Sequence, residues 1–179
     1  KLLGVLGDVL RAGGRAHEAL VHFRHALTIQ EKAGDRWGRV ANLCSLRQAL
    51  LHVGRLHDAY EVAVQAVALA QDLAAPLPLG PAMAGQAVVL AQLGRLGEAL
   101  SLYDRALELH RGVKDKSGLA ATLTELGDLV HRRLDDPDRA AVYLEEALAI
   151  REEMGARLGL VKTLHDLSQV RLSQGRIEE

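Results

Sequence analysis

The chain has 179 residues, enough for one domain or a short repeat array, and 22 Lys and Arg against 23 Asp and Glu leave a net charge of −1. That balance, without a basic stripe, argues against a nucleic-acid partner. No run of about 18 apolar residues marks a membrane span, and the single Cys44 excludes an internal disulfide.

Apolar residues make up 49% but aromatics only 3%, so Leu, Ala and Val must fill an interior of closely packed helices. No signal peptide is visible, and one cysteine fits a reducing compartment, so a cytoplasmic location is expected. Beginning at Lys1 and stopping in "SQGRIEE", the chain reads as a piece cut from a longer protein.

Taken in chain order, Leu6 and Leu10 lie on one helical stripe and predict a first helix over 1–12. "RAGGRAHEALVHFRHALTIQ" then turns at Gly14 into a helix over 16–33. The same wording returns 40 residues later as "LHVGRLHDAYEVAVQAVALA" and 40 later again as "AQLGRLGEALSLYDRALELH". A period of this length signals a solenoid, in which each unit buries its apolar face on its neighbours. Each unit is read as helix A, a tight turn and helix B, with Gly14, Gly54 and Gly94 ending helix A in the left-handed conformation.

The second unit predicts helices over 36–53 and 56–73. The third begins with "AAPLPLGPA", which holds three of the four prolines. It predicts a shortened helix 81–93 after a rigid connector, or else a hinge where the array bends. Stacking is expected to continue across it, without separate domains. Helices over 96–112, 117–133, 137–154 and 157–174 complete the series. In the fourth unit Asp135 replaces the glycine one residue late, and Pro137 suits the first turn of helix B. The units run at about 1–34, 35–74, 75–114, 115–155 and 156–179, the last incomplete.

Alanine recurs in helix B at Ala19, Ala59, Ala99 and Ala140, and again at Ala26, Ala66, Ala106 and Ala147. A methyl group at both places lets helix A approach closely. Phe23, Tyr103 and Leu144 stand between them as gap fillers. The second unit has only Ala63 there, so other side chains or a tighter approach must close its gap.

Little in the chain suits catalysis. "HEALVH" has its histidines five apart, about 140° round a helix, so it is not a zinc-protease helix. His22 and His25 read as a solvated pair rather than a chelate, and Cys44 as a structural thiol. There is no phosphate loop and no dinucleotide fingerprint. Carboxylates such as Glu145, Glu146, Glu152 and Glu153 lie on solvent faces. No catalytic residue, metal or cofactor is expected.

"LGDVLRAGGRAHEALVHFRHAL" resembles a tetratricopeptide repeat, with Leu6, Gly7, Leu10, Gly14, Ala19, Phe23, Ala26 and Leu27 at its signature positions. The common unit of that family has roughly 34 residues. This chain resembles the longer variety found in bacterial signal-transduction ATPases, transcription regulators and kinesin light chains. Gly38, Gly118 and Gly159 recur near the start of helix A. The chain departs from the family pattern at Arg47, where Gly is preferred, and at Ala63, Gln86, Ala87 and Arg171.

The resemblance implies an all-α, right-handed superhelix of antiparallel helix pairs that binds a protein or peptide along the helix-A faces. Carried over residue by residue, the groove comprises Asp8 and Arg11; Cys44, Gln48 and His52; Ala84, Val88 and Gln92; Thr124, Asp128, His131 and Arg132; and Lys162, His165 and Gln169. Ala84, Val88 and Ala91 would form an apolar floor, unless that helix is simply buried by curvature. His52, His131 and His165 on one surface would permit a response to pH near neutrality. The role implied is the interaction or sensor arm of a larger bacterial regulator, which includes contact with other domains of the same full-length chain. A small-ligand or peptide-signal receptor and a self-association module are the alternatives, and neither nucleic acid nor membrane is an expected partner.

Overall fold

The computed structural model describes residues 2–175, with Arg157 and Leu158 described through their backbone alone. The described chain is all α. Its helices are α1 (Leu2–Ala12), α2 (Ala16–Lys32), α3 (Arg36–His52), α4 (Leu56–Asp72), α5 (Pro76–Gln92), α6 (Leu96–Gly112), α7 (Lys116–Leu134), α8 (Pro137–Glu153) and α9 (Arg157–Ser173). The part of the fifth repeat beyond Gly175 lies outside the described residues. Two compact units result, Lys1–Leu102 and Tyr103–Glu179, divided inside α6. In the first, consecutive helices pack from α1 to α5, and α3 also touches α1 and α5. In the second, α8 packs on both α7 and α9, which touch each other. Odd-numbered helices are thus neighbours within each unit, as a stack of helix pairs requires.

Local chemistry sets these boundaries. Gly14, Gly54 and Gly94 have φ of 77°, 75° and 79°. The amide of the next residue reaches back to helix A, as Arg15 N–H does to the Leu10 carbonyl (2.8 Å), Arg55 to Leu50 (2.9 Å) and Arg95 to Leu90 (2.9 Å). This closes the last turn in a Schellman-type cap. In the fourth unit Asp135 takes the left-handed conformation instead, at φ 51°. The arginine after each glycine then pairs with an acid in the first turn of helix B, Arg15 with Glu18 and Arg95 with Glu98, both at 2.6 Å.

The starts of α3 and α7 share a second feature. The Asp35 and Asp115 side chains accept hydrogen bonds from Gly38 N–H and Gly118 N–H, capping α3 and α7. The last turn of the preceding helix B lies over those glycines, Gln30 over Gly38 and His110 over Gly118. A Cβ would occupy the same space, which explains the recurrence. Gln30 is also hydrogen-bonded by Asn42 (2.7 Å), and the buried His110 by Nδ1 to Asp115 (2.9 Å).

The expected shortening of the fifth helix is incorrect: α5 begins at Pro76, not near 81, so the proline-rich stretch forms the first turns of the helix rather than a connector before it. The first-turn amides of a helix have no intrahelical partner. Pro76 and Pro78 therefore forfeit nothing, and only Pro81 removes a bond, to Leu77. Ala75 before them is extended, at φ −114° and ψ 114°, as a residue preceding proline prefers. Burial of Met83, Val89 and Leu90 holds the rest of α5.

The packing obeys a size rule. Phe23 and Leu144 are fully buried and lie against Gly7 and Gly127, where an added Cβ would come within 2.6 Å and 2.8 Å of them. The second repeat reverses the sizes. Arg47 stands on α3 at the register of Gly7, opposite the register of Ala63, and is buried. Its guanidinium rests on Gly85 of α5. Ala63 itself is buried in a cluster with Leu46, Leu50 and Val89, so neighbouring side chains close the gap expected beside it. The recurring Ala19, Ala59, Ala99 and Ala140 have no exposed surface. Ala99→Leu is expected to overpack its contact and lower stability by about 1–3 kcal/mol in chemical denaturation; an unchanged transition would count against the close approach.

Candidate binding surface

The predicted surface residues fall into two groups, one in each unit. In the first unit Asp8 and Arg11 are half-buried, with Arg11 Nη2 3.7 Å from the Asp8 carboxylate. Gln48 is half-buried and His52 exposed. The His52 Nδ1–H donates to the Gln48 carbonyl at 2.8 Å, which fixes the tautomer of the neutral ring because a carbonyl can only accept. On α5, Ala84 and Ala91 are buried, Val88 half-buried and Gln92 exposed. Burial pushes the half-buried Cys44 thiol above its ordinary pKa, with the Arg47 charge opposing the shift.

The second unit brings its residues together. A cleft of about 380 Å³ is lined by Asp128, His131 and Arg132 from α7 and by His165, Asp166, Gln169 and Val170 from α9, with Leu144 of α8 below. The helix register places the first three on one face of α7, and His165 and Gln169 on one face of α9. Leu144 and Val170 give the cleft an apolar base, both being buried. The rim is polar and its charges are matched within each helix. Arg132 Nε meets the Asp128 carboxylate at 2.5 Å, and Lys162 Nζ meets Asp166 at 2.5 Å. His131 Nε2 lies 3.3 Å from Ser173 Oγ. Thr124 is buried between α7 and α9: its hydroxyl donates to the Ala120 carbonyl and lies 3.2 Å from Thr163 Oγ1. Arg151 from α8 donates to the Thr124 hydroxyl at 3.3 Å; burial lowers its pKa and the Asp166 charge raises it.

Sequence reasoning missed Asp166 and Val170 as lining residues. The signal for Asp166 was present, since it stands one helical turn after Lys162, where opposite charges meet. Leu144 was recognised as a gap filler, not as the base of a cleft. Among the described residues no group of three or more His, Cys, Asp and Glu is placed to hold a metal, and no helix is long and apolar enough to cross a membrane.

Paired helices repeated at one register, with a polar-rimmed cleft between neighbouring A helices, define an α-helical repeat scaffold. The tetratricopeptide repeat models match residues 2–33 and 81–153, and the chain belongs to the tetratricopeptide repeat family. No curated protein sequence matches it significantly. Solved structures share its fold. A Rap protein complexed with Competence and Sporulation Factor superposes with a TM-score of 0.86 at 20% identity, over 97% of this chain and 48% of that one. A putative kinesin light chain from Podosopora anserina with nearly identical TPR-like repeats gives 0.71 at 18% identity, over 97% and 86%. A signal transduction ATPase with numerous domains and a tetratricopeptide repeat sensor, from Pyrococcus horikoshii, gives 0.72 at 15% identity, over 95% and 26%. The chain spans about half of the Rap protein, and at these identities the likeness establishes fold alone. The family's fold is that of a protein-interaction scaffold.

Proposed function

We propose that this chain is the interaction or sensor arm of a larger bacterial regulatory protein, and that it holds a protein or peptide segment against its helix-A faces. The observation carrying this reading is the α7–α9 cleft, where Asp128, His131, Arg132, His165 and Gln169 converge over Leu144 and Val170. An apolar base accepts an anchor side chain, while rim groups bond the segment's backbone. A wall preformed by packed helices limits the ordering cost of binding. The Rap structure with its bound factor and the ATPase with its repeat sensor lend support by analogy of fold. A second reading, a small-ligand receptor, is favoured by the cleft's volume of about 380 Å³, at the lower end of the range for such sites.

The test is peptide display selection on the chain, followed by calorimetry with variants. Gln169→Trp fills the cleft from an exposed position and is expected to weaken selected peptides at least about tenfold. Thr28→Trp, on an exposed position of α2, is expected to leave them unchanged. Equal binding to both variants would contradict the assignment, and selection yielding no binder while metabolite-sized compounds bind the cleft would favour the second reading.

A further inference from the structure

We propose that the outer face of α1 docks on the same face of a second copy of this chain, as an antiparallel helix pair about a two-fold axis. The inference stands on the first unit and does not use the α7–α9 cleft. Its basis is an apolar stripe left in solvent. Leu2, Val5 and Val9 are 87%, 61% and 63% exposed, and Leu6 beside them 43%. Helical register sets Leu2, Val5, Val9 and Ala12 on one side of α1, opposite the buried Gly4, Gly7 and Leu10.

The same face is interface elsewhere in the fold. The places of Leu2 and Val9 recur on α3, α5 and α9, each of which packs on the helix pair before it. Asn42, Ala82 and Thr163 stand at the place of Leu2, and Ala49, Val89 and Val170 at that of Val9; all six are buried. Leu2 is bulkier and more apolar than any residue at its place on those helices, yet it meets water. A contiguous stripe of this kind marks a contact surface.

The stripe is complementary to itself. Its steps of three, four and three are those of a two-helix seam. Turned end for end against a second α1, Leu2 faces the partner's Ala12 and Val5 faces the partner's Val9. Large thus meets small at the ends, and equal sizes meet at the centre. No charge interrupts the seam, because Asp8 and Arg11, the charged residues of α1, lie off it and pair with each other. One patch serving both subunits is what a two-fold interface requires. An 11-residue helix spans only about 16 Å, so the contact falls in the small, transient class.

Analytical ultracentrifugation of the chain from about 10 µM to about 1 mM tests this, with a Kd on the order of 100 µM expected. The mass should rise toward that of a dimer and go no further. Val9→Glu is expected to weaken association at least about tenfold and, measured at low concentration, to keep the parent's melting temperature. Val142→Glu, at an exposed position of α8, should leave association unchanged. Two double variants identify the surface. Val5→Glu with Val9→Glu, and Val5→Lys with Val9→Lys, should each be monomeric alone, while their equimolar mixture regains the dimer. A monomer at every concentration, growth beyond a dimer, or a mixture that stays monomeric would overturn the proposal.

Discussion

Phe23→Ala is expected to destabilise the chain by about 3–5 kcal/mol, the usual cost of emptying a fully buried aromatic site. Phe23 belongs to one apolar cluster with Leu10, Leu20, Leu46 and Leu50. Gly7 on α1 presents no side chain to it, so nothing nearby is positioned to fill the cavity. The second repeat supplies a natural control, with Arg47 on helix A and Ala63 on helix B. Adding Gly7→Met to Phe23→Ala should therefore recover part of the loss. The coupling between the two changes should be about 1 kcal/mol or more, as expected for residues in contact. Urea denaturation of the two single variants and the double variant measures it. Additive losses would show that the volumes do not compensate across the helix pair.

Leu144→Ala is expected to cost about 2–5 kcal/mol, and unlike Phe23→Ala it should also alter the binding surface. Leu144 is fully buried against Gly127 and forms the base of the α7–α9 cleft. The new space opens toward a polar rim, so water can enter it, which places the cost toward the lower end of that range. Peptides anchored in the cleft should favour larger side chains in the variant than in the parent. A loss below about 1 kcal/mol would resemble an ordinary surface substitution and would contradict the packing of Leu144 beneath the cleft.

These features differ in how far the sequence discloses them. The 40-residue step, the left-handed Gly14, Gly54 and Gly94, and the paired alanines are written locally, because a turn and a helical stripe need only near neighbours. The start of α5 is easily misread, because prolines at 76, 78 and 81 look like a break unless one asks which amides the helix needs. Arg47 stands out in the sequence only as a departure from a family pattern. Its burial involves Gly85, which lies on another helix. Register places Asp128, His131, Arg132, His165 and Gln169 on helix-A faces, and the structure gathers these five around one cleft. Depth is not legible: Thr124 and Ala84 have the same register logic but are buried where helices meet.

The most direct test of the account is a disulfide trap between α7 and α9. Thr124 and Thr163 hydroxyls lie 3.2 Å apart, one on each of two successive A helices. A Thr124→Cys, Thr163→Cys chain carrying Cys44→Ser should close a disulfide under mild oxidation, because cysteine side chains at such a separation meet the geometry of that bond. Rapid loss of both free thiols with helicity intact is the result expected. Two thiols that stay fully reactive in a folded chain would show that these helices are not neighbours, and the shared wall on which binding depends would not exist.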